Sequence, residues 1–309
     1  DMDYKETIWV TGCKGFLGRE IVKRLKATYN CTVVGTDKEL MVTDPERIDA
    51  FAQDLRPDVV INCAGISRAV TGLSNRIHAY EVNALGARNV ALAANNVGAL
   101  MVQISTDDVF PVRMAEPANE FDTPHPETPY GKSKRAGEVM VRDTTPNHLI
   151  IRSSWVYSID GGQVKDALDA AAAGKTLVAR TDQLASPTSI STYVDFLIKA
   201  INRKATGILH VTSRGMASRY EFLSHVLNTC GYDANTILVP ESWKCLVLSS
   251  PPGKTTLSLT SRKLAWQNSA KLKGSFSRLR APGTIQGLFA AHRIGTREPN
   301  STLADSTHA

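Results

Sequence analysis

Thr11-Gly12-Cys13-Lys14-Gly15-Phe16-Leu17-Gly18 stands between the apolar run Thr7 to Val10 and a helix-patterned stretch from Phe16 to Ala27. That order is strand, tight turn, helix. Glycines at 12, 15 and 18 permit the turn, let backbone amides approach a pyrophosphate and allow the helix to pack on its strand, with the phosphates at the positive helix N-terminus. The spacing predicts a dinucleotide cradle formed by Gly12, Lys14, Gly15, Phe16 and Leu17. Three glycines alone also make plain turns, so it is the flanking strand and helix that favour the cofactor reading.

Outward from the loop, Cys31 to Asp37 reads as a second strand ending in an acid about 20 residues past the glycines, where a ribose hydroxyl would be held. Asp37 is the expected ribose ligand, and NADH is expected to serve at least as well as NADPH, although Lys38 leaves room for a 2′-phosphate. Asp44-Pro45-Glu46 is a helix start, with an N-cap acid and proline at the first helical position, and Arg56-Pro57 ends that helix. Asp58 to Gly65 is a continuous apolar run closing on small residues, as a doubly buried parallel strand requires, and Ala64-Gly65 should lie beside the cofactor. An amphipathic helix over 75–97, a strand from Leu100 to Ser105, a helix from Tyr130 and a fifth strand over 148–157 follow. Helices are expected over 163–174, 193–202 and 219–231, with a short strand over 207–212 between the last two.

Strands alternating with helices at this pitch specify an α/β, doubly wound parallel sheet of Rossmann type. The expected organisation is a dinucleotide-binding domain over 1–158, a smaller C-terminal substrate lobe over 159–266 with some elements returning to the sheet, and a basic, irregular tail over 267–309.

Composition narrows the function classes. The net charge of +6 lies at the end of the chain: residues 241–309 hold 10 Lys and Arg against 3 Asp and Glu, leaving 26 against 27 for residues 1–240. A neutral body argues against nucleic acid as a partner. No apolar run is long enough to span a membrane and the first residues are polar and acidic, so a cytoplasmic protein is expected. The five cysteines show no metal-ligand spacing and read as free thiols. The histidines lack ligand-spaced partners and no Gly-x-Ser-x-Gly elbow occurs.

Tyr130-Gly131-Lys132-Ser133-Lys134 places a phenol and an ammonium four residues apart, on one face of a helix. A tyrosine titrates near 10, too high for acid-base work at neutral pH, unless an adjacent cation stabilises its phenolate. Ser105 and Thr106, at the end of the fourth strand, would face the same site and hold a substrate oxygen.

The Gly-Cys-Lys-Gly-Phe-Leu-Gly loop, Asn62-Cys63-Ala64-Gly65, Ser105-Thr106-Asp107 and Tyr130-Gly131-Lys132-Ser133-Lys134 together resemble the extended short-chain dehydrogenase/reductases. Arg56 to Asn62, Ile104 to Phe110, Tyr130 to Glu138, Arg152 to Tyr157, Asp182-Gln183 and Pro187-Thr188 are similar to the dTDP-4-dehydrorhamnose reductase branch, over about residues 7 to 265. The resemblance implies NAD(P)H-dependent reduction of a 4-keto nucleotide sugar, foremost dTDP-4-dehydro-L-rhamnose to dTDP-L-rhamnose. It implies Thr106 on the substrate carbonyl, Tyr130 as proton donor, Lys134 on Tyr130 and the nicotinamide ribose, and Ser105, Thr106, Asp107 and Trp155 about the sugar. It allows a homodimer. Members can bridge subunits through glutamates and a metal ion; Glu20 matches one such residue but Ser191 stands where a second acid would be, so no metal is expected. Asp108 replaces the tyrosine usual in this branch, and the family's closing segment is not recognisable after about Trp266. The alternatives are an epimerase or dehydratase of the same superfamily, or a regulatory subunit that binds dinucleotide without turnover.

Overall fold

The computed structural model describes residues 5–28, 30–67, 75–111 and 117–242. The basic tail expected over 267–309 lies outside the described residues. The first half of the chain alternates as β1 (Thr7–Thr11), α1 (Phe16–Thr28), β2 (Thr32–Thr36), α2 (Pro45–Leu55), β3 (Val59–Asn62), α3 (Arg76–Tyr80), a π-helical turn (Glu81–Gly86), α4 (Ala87–Asn96), β4 (Leu100–Thr106), a 3₁₀ turn (Asp107–Val109), α5 (Pro129–Thr144) and β5 (His148–Ser153). Then come β6 (Val156–Tyr157), α6 (Gly162–Ala172), β7 (Leu177–Arg180), β8 (Leu184–Ala185), β9 (Thr188–Ser189), α7 (Ile190–Asn202), β10 (Gly207–His210), β11 (Ala217–Ser218), α8 (Arg219–Thr229), α9 (Ala234–Ile237) and β12 (Leu238–Glu241).

Six strands form one parallel sheet in the order β10-β5-β4-β3-β1-β2. Side chains alternate across it, so each face has its own core. Ile8 and Val10 of β1 join Ile61, Val102 and Ile151 under α1 and α7, whose Ile21, Leu25, Tyr193, Val194 and Leu197 are buried there. Trp9 points the other way and packs with Val60 and Met101 under α2, α4 and α5. A third cluster joins α6, α8 and α9 through Val164, Ala167, Leu223, Leu227 and Ile237. Among the described residues no helix is long and apolar enough to cross a membrane.

Local signals explain most boundaries. The Asp44 carboxylate accepts from the Arg47 amide at 3.2 Å, Pro45 opens α2, and Arg56 ends it in the left-handed region at φ 49°. Two expectations are corrected. The fifth strand stops at Ser153, because Trp155 adopts φ 39° and turns the chain out of the sheet, so that Val156-Tyr157 pairs with β9 instead. The helix expected over 75–97 is interrupted by the π-helical turn.

The sheet order reverses between β1 and β3, which opens a crevice at their carboxyl ends. A line of buried polar groups spans that edge. Thr11 Oγ1 donates to Asn62 Oδ1 at 2.6 Å, Asn62 Nδ2 to Gln103 Oε1 at 2.8 Å, and Gln103 Nε2 to the Ile104 carbonyl at 2.9 Å. These bonds fix the ends of β1, β3 and β4 in register.

Candidate active site

The glycine loop occupies the crevice, and its glycines are there for close approach. Gly12 has φ 62°, and a methyl on it would stand 2.7 Å from the Ala64 amide nitrogen; one on Gly18 would stand 2.3 Å from the Gly12 carbonyl. The first intrahelical bond of α1 runs from the Arg19 amide to the Gly15 carbonyl, so the amides of Phe16, Leu17 and Gly18 lie ahead of the hydrogen-bonded ladder, as an anion cradle requires. These residues fit the pyrophosphate of a dinucleotide.

At the end of β2 the Asp37 carboxylate accepts from the Lys14 amide at 2.9 Å and from the Lys38 amide at 2.8 Å. It is thereby held against the glycine loop. The Lys14 side chain is exposed and pairs with Glu39 at 3.1 Å. Two acids therefore stand at this end of the crevice.

A cavity of about 270 Å³ lies beside the loop, lined by Leu17, Thr106, Asp107, Asp108, Tyr130, Trp155, Val156, Tyr193 and Arg219 among others. Packing of α5 explains why Tyr130 meets Thr106. Thr128 caps the helix by accepting from the Gly131 amide at 3.0 Å, and a methyl on Gly131 would stand 2.0 Å from the Asp108 carbonyl, so the helix start rests directly on the 3₁₀ turn that follows Thr106. Thr106 Oγ1 accepts from the Asp108 amide at 3.2 Å and donates to Asp107 Oδ1 at 3.2 Å. Asp107 accepts from Ser154 Oγ at 2.6 Å. The Arg219 guanidinium stacks 4.6 Å from the centre of the Trp155 ring.

One turn beyond Tyr130, Lys134 is buried and donates from Nζ to the Ile104 carbonyl at 2.6 Å, where the polar line across β1, β3 and β4 ends. Burial lowers its pKa to about 8, against the pull of Glu138 and Cys63 toward the charged form. A methyl on Gly65 would stand 4.0 Å from this ammonium and 3.0 Å from Asn83 Oδ1, so Ala64-Gly65 and Lys134 share one spot.

Ser105 lines the same cavity as Thr106 and Tyr130. Its hydroxyl donates to Glu138 Oε1 at 2.6 Å, so in this structure its proton is engaged inside the protein. Glu138 also accepts from Arg152 at 2.8 Å twice and from Arg135 at 3.0 Å. Burial pushes the Glu138 carboxyl up, but these partners hold it below the ordinary carboxylate range.

Sequence reasoning missed Asn83. It sits in the π-helical turn, receives the Ile66 amide at 2.8 Å, and donates to the Ile66 carbonyl and to Ser133 Oγ at 3.1 and 3.0 Å. It ties the Ala64-Gly65 loop to the helix carrying Tyr130 and Lys134. The only trace of this in the sequence is a polar residue on the buried face of an alanine-rich helix. Among the described residues no group of three His, Cys, Asp or Glu side chains comes together to hold a metal ion.

A family model described as "RmlD substrate binding domain" matches residues 6–269. The chain belongs to this family. Relatives include the spore coat polysaccharide biosynthesis protein SpsK of Bacillus subtilis, 34% identical over 233 residues that cover 75% of this chain and 82% of that protein. The dTDP-4-dehydrorhamnose reductase of Mycobacterium tuberculosis is 31% identical over 242 residues, 75% of this chain and 78% of the relative. Among solved structures, dTDP-4-dehydrorhamnose reductase from Bacillus anthracis in complex with NADP superposes with a TM-score of 0.74 at 31% identity, covering 79% of this chain and 86% of that one.

Proposed function

We propose that this RmlD-family chain reduces the 4-keto group of a nucleotide-linked sugar with NAD(P)H, and that dTDP-4-dehydro-L-rhamnose is its substrate. The observation that carries the reading is the convergence of Thr106 and Tyr130 on one cavity, with Lys134 buried one helical turn further on and the glycine loop alongside. Bound in the crevice, the nicotinamide cofactor supplies the hydride. Gly12, Gly15, Phe16, Leu17 and Asp37 would hold its adenosine and pyrophosphate, and Ala64, Gly65 and Lys134 its nicotinamide ribose.

The chain's own part is positioning and proton delivery. The Thr106 hydroxyl, turned from Asp107 to the substrate, would donate to the carbonyl and Tyr130 would give the oxygen its proton, so charge developing on that oxygen would be met by two hydroxyl donors. Lys134, one helical turn beyond Tyr130, would supply the cation beside that phenol. Trp155 and Arg219 would border the sugar nucleotide. A phenol, a hydroxyl and a buried ammonium arranged in this way favour catalysis over a regulatory dinucleotide-binding subunit.

The test is oxidation of NADH and NADPH by the purified protein with a panel of 4-keto nucleotide sugars. Turnover with the dTDP sugar is expected, and Tyr130→Phe should lower kcat by about a hundredfold or more while cofactor affinity stays near wild type. Cofactor binding without oxidation against any member of the panel would overturn the reductase and leave the epimerase, dehydratase and regulatory alternatives. Asp37 and Glu39 both oppose a 2′-phosphate, so NADH should be used at least as well as NADPH; a strong NADPH preference that survives Asp37→Ala would show the ribose to be held elsewhere.

A further inference from the structure

Tyr193 is fully buried on α7, lines the same cavity as Thr106 and Tyr130, and its hydroxyl has no hydrogen-bond partner. Buried hydroxyls are almost always satisfied, since an unmade bond forfeits solvation without return. Only Gln163 Oε1 and Ser224 Oγ share this condition among the described side chains, and neither lines the cavity.

We propose that the Tyr193 hydroxyl is a ligand-binding donor, completed by an acceptor oxygen at the nicotinamide end of the bound dinucleotide. The surroundings select that end. Cys63, which follows β3, packs with Leu17 of the glycine loop and with Ile104 against the core cluster that holds Tyr193, and the Ile104 carbonyl is the one that takes the Lys134 ammonium. Leu17 of the glycine loop and Val156 line the cavity with it. Tyr193 thus belongs to the part of the crevice between the glycine loop and Lys134, where the cofactor's reactive half would lie, while Arg219 and Trp155 form another wall of the cavity.

The chemistry matches the need. Burial holds the phenol well above its ordinary pKa, so the group stays a neutral donor rather than a base. The nicotinamide half offers acceptors in its carboxamide carbonyl and its ribose hydroxyls. The helix that carries Tyr193 is pinned to the helix of the glycine loop, with Arg24 of α1 paired to Asp195 of α7 at 2.6 Å and with Ile21, Leu25, Val194 and Leu197 in one core. The donor is therefore fixed relative to the cradle before the cofactor arrives, and the cost of its unmet bond is carried by the free protein.

This inference rests on the dinucleotide site of the proposed function, and Tyr193→Phe tests it by binding and stability rather than by turnover. The variant removes one oxygen and keeps the ring. Thermal melting of the free protein and calorimetric titration with NADH, NADPH and ADP would be compared with wild type. The free variant is expected to melt at the same temperature or about 2–4 °C higher, because an unsatisfied hydroxyl is gone. Affinity for the preferred cofactor should fall about tenfold, with ADP, which lacks the nicotinamide half, bound equally by both proteins. A lower melting temperature of the free variant would overturn the proposal, because the hydroxyl would then have an internal partner. Unchanged cofactor affinity would overturn it as well, and so would an equal loss for ADP. Wild type that binds neither cofactor removes this inference together with the dinucleotide site, whereas tight binding without reduction of any sugar leaves Tyr193 in place and removes only the reductase.

Discussion

Lys134 is held in an environment that opposes its own charge. Its pKa near 8 lies below the ordinary lysine value, because desolvation outweighs the attraction of Glu138 and Cys63. Above pH 8 the unfolded chain keeps a proton that the folded chain has released, so folding stability should rise with pH from about 8 until the lysine titrates in the unfolded chain, near 10.4. Lys134→Met is expected to flatten this rise, which urea unfolding at a series of pH values would register; an unaltered slope would mean that Lys134 is more solvated than its contacts imply. The same residue shows what a sequence can and cannot reveal. Spacing from Tyr130 put Lys134 on the right helix face, but its bond to the Ile104 carbonyl depends on a strand 30 residues away. Ser105 is a second case: its place at a strand end was legible, but that its proton goes to Glu138, 33 residues later, is visible only in the fold.

At the scale of elements, α5 is the part on which the site turns. It rests on the 3₁₀ turn through Gly131 and on the π-helical turn through Gly137, where a methyl would stand 2.1 Å from the Asn83 carbonyl. Gly137→Ala would push the two segments apart and should cost about 1–3 kcal/mol in urea unfolding. On its other side α5 sends Glu138 to Arg152 of β5, a pair with both side chains out of solvent. Glu138→Gln leaves the guanidinium without its counter-charge and is expected to cost about 3 kcal/mol, whereas Glu138→Leu combined with Arg152→Met should recover much of that loss. If the double variant proved no more stable than the single one, the carboxylate would be needed for its bonds to Ser105 and Arg135 rather than for charge balance. Helix and strand periodicity marked α1, α2, α5 and the sheet strands, because each buries one regular face. The π-helical turn and the end of β5 at Ser153 escaped that reading, since the first keeps helical composition and the second depends on one backbone angle at Trp155.

For the molecule as a whole, the sheet core is not contributed by one continuous stretch. Helix α7 and strand β10 come from beyond residue 158, yet Tyr193, Val194 and Leu197 are buried against Ile8, Val10 and Ile151, and β10 pairs with β5 along its edge. A fragment of residues 1–158 should therefore fail to give a cooperative unfolding transition on its own. Recovery of such a transition on mixing with a fragment from 159 onward would be the expected complement.

That late contribution sets a clock on synthesis. A nascent chain that has reached Tyr157 holds five of the six strands of the sheet but must wait for the residues through His210 before α7 can cover one face and β10 can close the edge. At about 5–20 residues per second the interval is roughly 3–10 s, during which isoleucines and valines destined for the interior remain open to other chains and to the cell's holding factors. How well that unfinished sheet is shielded while the ribosome completes it therefore bears on the yield of folded protein.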